Sequence, residues 1–203
     1  MVKQISNSTG QPAGVSFGNL PLEQRKAIVH LNWMIQVLNS QADVDRAINK
    51  VKEVKAESIA VELLGRKNWD SDRRIIVAYV LGQFVNDVPE AIPQLIELMG
   101  DDNPSVQYNA ASSLSLVNEI PKELERREMI PKLIRLLEDK SNPVIGSAAY
   151  ILGLMGKEAE SALPKLNELY QNKSEEFFLS YAHRQAYRAK EKIEGRMPLD
   201  HGL

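Results

Sequence analysis

One arrangement of residues recurs along the chain at a fixed internal offset, and it narrows the possible folds more than any other feature. Ile92-Pro-Gln-Leu-Ile-Glu-Leu-Met, Ile130-Pro-Lys-Leu-Ile-Arg-Leu-Leu and Leu163-Pro-Lys-Leu-Asn-Glu-Leu-Tyr share the form apolar-Pro-x-Leu-x-x-Leu, with prolines at 93, 131 and 164. Eighteen residues after each proline stands an alanine: Ala111, Ala149 and Ala182. Three residues further come Leu114 and Leu152, while Gln185 departs. An earlier copy, Ala78, Leu81 and Gly82, matches Ala149, Leu152 and Gly153. Its first half, Ile59-Ala-Val-Glu-Leu-Leu, lacks the proline and fits with a one-residue shift. The repeated alanines are thus 33, 38 and 33 residues apart. A chain that repeats a unit of this length stacks similar pieces, each burying its apolar side on the next.

Each unit reads as two helices. Proline near the start of the first helix has no amide to lose there, and its φ is preset. A polar turn follows: Asp101-Asp102-Asn103-Pro104 in one unit, Asp139-Lys140-Ser141-Asn142-Pro143 in the next. Asn103 and Asn142 are placed to cap the second helix, with Pro104 and Pro143 at its first position. Ser174 with Glu175 and Glu176 takes that part in the last unit. The second helices carry Val106, Ala110, Ala111, Leu114 and Val117, then Val144, Ala148, Ala149, Leu152 and Met155. A small alanine lets helices approach closely while leucine fills the space between them.

Upstream, Ile28, Leu31, Ile35 and Leu38 are spaced by 3, 4 and 3 on a helix beginning near Pro21 and broken at Asn39-Ser40. Val44, Ala47, Ile48, Val51 and Val54 mark a second helix from about Asp43. The expected organisation is a flexible tail at 1–19, a helical-repeat domain at 20–194 and a short tail at 195–203. Within the domain, 20–55 is a divergent first unit, and 56–88, 89–126, 127–158 and 159–194 are the repeats. The fold class is all-α: a right-handed α-α superhelix, a solenoid of about five helix pairs. An aromatic content of only 6% leaves Leu, Ile, Val and Ala to form the core, which suits helix-on-helix packing. The stretch 118–128 accounts for the extra residues of the 38-residue unit and is either a partner-specific loop or a tolerated insertion.

With these residues in view, the sequence resembles the HEAT-repeat family. The likeness rests on the Pro and Leu of the first helix, the Asp/Asn-Pro turn, and the Val, paired Ala, Leu and Gly of the second. Val144-Ile-Gly-Ser-Ala-Ala-Tyr-Ile-Leu-Gly-Leu-Met-Gly156 matches best. The short units are similar to the HEAT-like repeats of phycobilisome lyase-type proteins. The resemblance implies that the second helices line a concave side where partners lie.

If 77, 78 and 81 and their equivalents form the buried column, the neighbouring stripe faces outward. It reads Ile76, Asn109, Ser147, Ser180; then Tyr79, Ser112, Tyr150, His183; then Gln83, Leu116, Leu154, Tyr187. Tyrosine recurs at binding hot spots, so Tyr79, Tyr150 and Tyr187 are candidate anchors. The candidate partner-binding set is Tyr79, Gln83, Asn109, Ser112, Ser147, Tyr150, His183 and Tyr187. Arg184, Arg188, Lys190 and Lys192 make a basic patch on the last helix. It is either a solvated terminal cap or a docking site for acidic protein or nucleic acid.

Chemistry finds little support. The chain has no cysteine, and His30, His183 and His201 stand far apart with no i,i+4 pair. Neither a P-loop nor a Gly-x-Ser-x-Gly element occurs. Net charge is −2, without the basic excess of a dedicated nucleic-acid binder. No apolar run reaches membrane-span length, and the N-terminus lacks a signal-like apolar core, so a cytoplasmic location is expected. The expectation is a non-enzymatic adaptor, with no cofactor and no metal, that binds another protein along the concave face. The alternatives are a lyase-like or chaperone-like role on a tetrapyrrole-bearing protein, and a nucleic-acid-binding HEAT-like protein.

Overall fold

The computed structural model describes residues 17–37, 40–65, 68–121, 126–172 and 180–197. Among them are ten α-helices and no strand. They pair as α1 (Leu22–Gln36) with α2 (Gln41–Glu53), α3 (Glu57–Gly65) with α4 (Ser71–Phe84), and α5 (Ala91–Met99) with α6 (Pro104–Leu114). Then come α7 (Arg126–Leu136) with α8 (Asn142–Met155), and α9 (Leu163–Gln171) with α10 (Tyr181–Ile193). A 3₁₀ segment, Gly156–Ala162, leads into α9. The second helices pack in series, α4 on α6, α6 on α8 and α8 on α10, while α5 also meets α7. At the start of the stack, α1 packs on α2 and α4.

The repeated buried column explains the stacking. Val77, Ala78 and Leu81 of α4 are buried, as are Ala110, Ala111 and Leu114 of α6 and Ala148, Ala149 and Leu152 of α8. In α10 the matching trio is Ala182, His183 and Ala186. The last unit therefore runs one residue later than its proline suggests. Ala186 takes the leucine position, and Gln185 lies to one side, half-buried. Tight spacing selects the small residue. A Cβ on Gly153 would lie 3.0 Å from the Cα of Ala189, and one on Gly146 would overlap the ring of Tyr181.

The α4–α6 and α6–α8 seams each carry a satisfied hydroxyl. Ser113 donates to the Ala78 carbonyl at 2.9 Å, and Ser147 to the Ala111 carbonyl at 2.8 Å. A buried hydroxyl with a partner avoids the desolvation penalty of an orphaned one.

Local chemistry sets the helix starts. The side chain of Asp70 accepts from the Arg73 amide at 3.0 Å, and that of Asn103 from the Ser105 amide at 2.8 Å, with Pro104 opening α6. Asn142 does not cap α8. The helix begins at that residue, Ser141 precedes it, and Asp139 holds the turn by accepting from the Ser141 amide at 2.7 Å. Asp101 accepts from the Asn103 amide in the same way at 2.9 Å. The cap of α10 is Ser180, which accepts from the His183 amide at 3.1 Å. The Ser174–Glu176 cap expected there lies outside the described residues.

Two further departures concern length. Pro131 sits inside α7 rather than in its first turn, because α7 already begins at Arg126. Part of the 118–128 stretch is thus helix. Phe17–Asn19 form a 3₁₀ turn and Leu20 is 6% exposed, so the described structure reaches into the expected tail. Leu38, Asn39 and the outer parts of both tails lie outside the described residues.

Candidate interaction surface

α6 turns one side to the first helices and the opposite side to solvent, whereas α8 is buried from Val144 to Met155 except at half-buried Tyr150, and the expected outward residue Leu154 is buried with the rest. On α6 the inward side is Val106, Ala110 and Leu114, and the outward side is Tyr108, Ser112 and Leu116. Tyr108 is 56% exposed and Leu116 is 49% exposed. Ser112 is exposed, and Asn109 beside it is half-buried, its amide donating to the Ser105 carbonyl at 2.8 Å.

On α4 the corresponding positions are Ile75, Tyr79 and Gln83, with Ile76 matching Asn109, and all four are half-buried. Tyr79 donates its phenol proton to Asp45 of α2 at 2.7 Å. Burial, and then the hydrogen bond to this carboxylate, push the phenol above its ordinary pKa. On α8, Tyr150 is half-buried and donates to the Val117 carbonyl at 2.6 Å. Burial raises this phenol as well. Both rings are held by fixed hydrogen bonds, so each presents a preorganised edge rather than a free rotor.

Ser147 and His183 occupy other places. Ser147 is 1% exposed, its hydroxyl directed at Ala111 in the α6–α8 seam. His183 is 8% exposed and stacks on Tyr170 of α9, ring centres 5.6 Å apart. Its Nε2 lies 3.1 Å from the Tyr170 carbonyl. A carbonyl oxygen only accepts, so this nitrogen carries the proton. Tyr187 tilts on the same Tyr170 at 5.3 Å, which places it with His183 on the α9 side of α10.

The one-residue slip of the last unit brings Tyr181, Arg184 and Arg188 into the row instead. Tyr181 packs over Gly146 and is half-buried, while Arg184 and Arg188 are exposed. Burial pushes the Tyr181 phenol up; a hydrogen bond with Ser147 and the charges of Arg184 and Arg188 oppose this. Each of α4, α6, α8 and α10 thus carries one tyrosine on or beside the stripe, at differing positions: Tyr79 and Tyr150 are equivalent, Tyr108 lies one turn earlier, and Tyr181 takes the Ser147 position against Gly146 in the α8–α10 seam. Tyr108 and Tyr181 escaped the sequence reading. Tyr108 is four residues before Ser112 and was signalled by that spacing alone, whereas Tyr181 required the correct register.

The basic patch divides. Lys190 pairs with Glu194 at 2.9 Å and with Glu191 at 3.5 Å. Arg196 pairs with Glu191 at 2.6 Å and also with Glu194. Lys190 therefore belongs to a closed network at the end of α10, and Lys192 is half-buried beside it. Only Arg184 and Arg188 join the row. Among the described residues, no three His, Asp or Glu side chains form a group able to hold a metal, and no helix is long and apolar enough to cross a membrane.

The HEAT repeat family model matches residues 91–119, which span α5, its turn and α6. In that one helix pair the chain is similar to the HEAT repeat. Its arrangement is similar to that of solved helical arrays. An engineered protein from the Northeast Structural Genomics Consortium is 23% identical, with 85% of this chain and 81% of that one covered and a TM-score of 0.58. A designed armadillo repeat protein in complex with the peptide (KR)4 is 20% identical, with 84% and 91% covered and a TM-score of 0.55. Computationally designed armadillo repeat proteins for modular peptide recognition give the same values. No curated protein sequence matches the chain. The chain thus shares the stacked-helix architecture of repeat proteins.

Proposed function

We propose that this repeat protein is a non-enzymatic adaptor that holds an extended segment of another protein across the concave side of its second helices. The observation that carries the reading is one tyrosine on each stacked second helix: Tyr79 and Tyr150 at one register, exposed Tyr108 one turn earlier on α6, and Tyr181 in the α8–α10 seam beside them. Three of these rings are anchored by half-burial, two of them also by hydrogen bonds to neighbouring elements. Rigid aromatic edges add contact area at low entropic cost. Between them Ser112 and Asn109 supply adaptable polar contacts, and Leu116 an apolar one. An extended peptide would lie across these helices, differing in charge from the basic (KR)4 that the designed armadillo protein holds. Arg184 and Arg188 at the α10 end favour a segment that is acidic at that end.

Random-peptide display against the full chain tests this. Peptides enriched on the wild type should lose at least about tenfold in affinity for Tyr108→Ala or Ser112→Arg, a change of roughly 1.4 kcal/mol. Both positions are exposed, so circular dichroism and melting should not change. Enriched peptides that bind both variants as well as the wild type would refute the assignment.

A further inference from the structure

Charge is spread unevenly over the second helices. Neither α6 nor α8 contains a single Asp, Glu, Lys or Arg, although such residues make up 26% of the chain. The first helix between them, α7, holds Arg127, Glu128, Lys132 and Arg135, so the absence belongs to the second helices.

The two sides of this neutral stretch are opposite in sign. On the α2–α4 side every Lys and Arg of the two helices is matched to a carboxylate, as Arg46 is to Asp43 and Arg74 to Asp101. Asp45 and Asp72 are left over. Among the described residues Asp45 accepts only from neutral donors, the Tyr79 phenol at 2.7 Å and the Gln41 amide at 3.0 Å. Asp72 is exposed and has no ion pair among the described residues. Its spacing of 7 and then 4 sets it on one line of α4 with Tyr79 and Gln83.

On the α10 side the excess is positive. Glu191 and Glu194 are taken by Arg196 and Lys190. Arg188 is exposed and has no ion pair among the described residues, and exposed Arg184 stands one turn before it. In the register of the last unit these two arginines take the positions that Tyr79 and Gln83 hold on α4, so both charged ends lie on one stripe. Like charges at i and i+4 weaken a helix, and a bound anion removes their repulsion.

We infer that the segment held across the second helices is bipolar, with a basic residue at its α2–α4 end, an acidic residue at its α10 end and uncharged side chains between. This rests on the adaptor reading above and specifies its partner. Three steps between neighbouring helices separate α4 from α10. At about 8–10 Å each they span about 24–30 Å. An extended chain crosses that distance in about eight residues, at roughly 3.3 Å per residue. A charge set over α6 or α8 would lose water and meet no counter-charge, so the middle selects against it. The ends fix the direction, because a reversed segment brings like charges together. A uniformly basic segment is repelled at Arg184 and Arg188, and a uniformly acidic one at Asp72.

Random-peptide display on the full chain, read position by position, tests the inference. Peptides enriched on the wild type should carry Lys or Arg toward one end and Asp or Glu about eight residues away, with charge depleted between. Selection on Arg188→Glu should turn the acidic end basic, and selection on Asp72→Lys should turn the basic end acidic. A bipolar peptide from the wild-type pool should bind Arg188→Glu at least about tenfold more weakly, and exchanging its acidic residue for lysine should restore most of the loss. Asp72 is the residue to vary because Asp45 also holds the Tyr79 ring. Both varied side chains are exposed, so circular dichroism should not change. Enriched peptides that depend on Tyr108 but show no charge polarity overturn the inference and leave the adaptor reading standing. So does a polarity that neither reversal shifts, or a pool that is uniformly acidic or uniformly basic. A library that yields no enriched peptide refutes both readings.

Discussion

The two ends of this array solve the same problem with opposite materials. At the N-terminal end α1 grips the stack with large side chains: Ile28, Leu31, Met34 and Ile35 are all buried, and Ile35 is fully so. At the C-terminal end the buried apolar residues of α10 are Ala182, Ala186, Ala189 and Ile193, with His183 buried toward α9 and Tyr181 half-buried against Gly146. Three alanines bury little apolar area, so α10 must come close. Gly146 and Gly153 of α8 let it do so. The outer faces are reversed as well. Beyond its grip α1 exposes Leu22, Val29 and Trp33, whereas α10 closes in a ring of paired charge. A helix can thus be held by interlocking bulk or by backbone proximity, and the choice decides which substitutions it tolerates.

The largest expected effect tests the bulk-held end. Ile35→Ala removes a fully buried side chain between α1 and its neighbours and should cost about 2–5 kcal/mol. Urea unfolding monitored by helical signal measures it. At the proximity-held end, Ala186→Gly leaves almost no cavity and should cost only about 0.5–1 kcal/mol, through helix propensity. Equal losses at the two positions would break the contrast.

The second effect is smaller and reverses the direction of the change. Gly153→Ala adds one methyl where the Ala189 backbone already stands 3.0 Å away. Backbone cannot step aside as a flexible side chain can, so overpacking should cost about 1–3 kcal/mol, although alanine is the better helix former. Ala27→Gly in α1 should cost less. If Gly153→Ala stabilises the protein in a thermal melt, α10 is not held by close approach.

The contrast also shows which features can be read from a linear pattern. The repeated Pro, Leu and Ala positions revealed the helix pairs because large periodic constraints recur unit after unit. The α6 cap was legible from Asn103-Pro104 because capping is local chemistry. The register of α10 was not. Ala182 and Ala186 are interchangeable as pattern residues, and only the contacts of Ala189 and Tyr181 with the α8 glycines distinguish one alignment from the next. That single step placed Tyr181 in the α8–α10 seam beside the outward row and took Tyr187 out of it. Ser147 was misplaced for a related reason: a serine beside two alanines looks exposed until a carbonyl one helix away claims its hydroxyl. The exposed Leu22, Val29 and Trp33 of α1 went unread because Ile28, Leu31 and Ile35 already accounted for the helix, and nothing local forbids a second apolar side.

The smallest effect is confined to the charged end and depends on pH. The hydrogen bond with Arg196 holds the Glu191 carboxyl below the ordinary glutamate range, and that with Lys190 does the same for Glu194. A carboxylate whose folded pKa is depressed stabilises the fold above its unfolded pKa. That contribution fades as pH falls through the folded value. Above the ordinary glutamate pKa the network is complete, and it should dissolve as pH falls through the depressed folded values. Solvent screens these exposed groups, so global stability should scarcely register the loss. The readout is therefore local: hydrogen-exchange protection of the last turn of α10, relative to α6, should drop as the solution is acidified. Arg196→Gln should show lower protection at neutral pH and a flatter acid response. If acidification leaves the last turn of α10 as protected as α6, the ion pairs are ornaments on an end held by Gly153 and Ala189 alone.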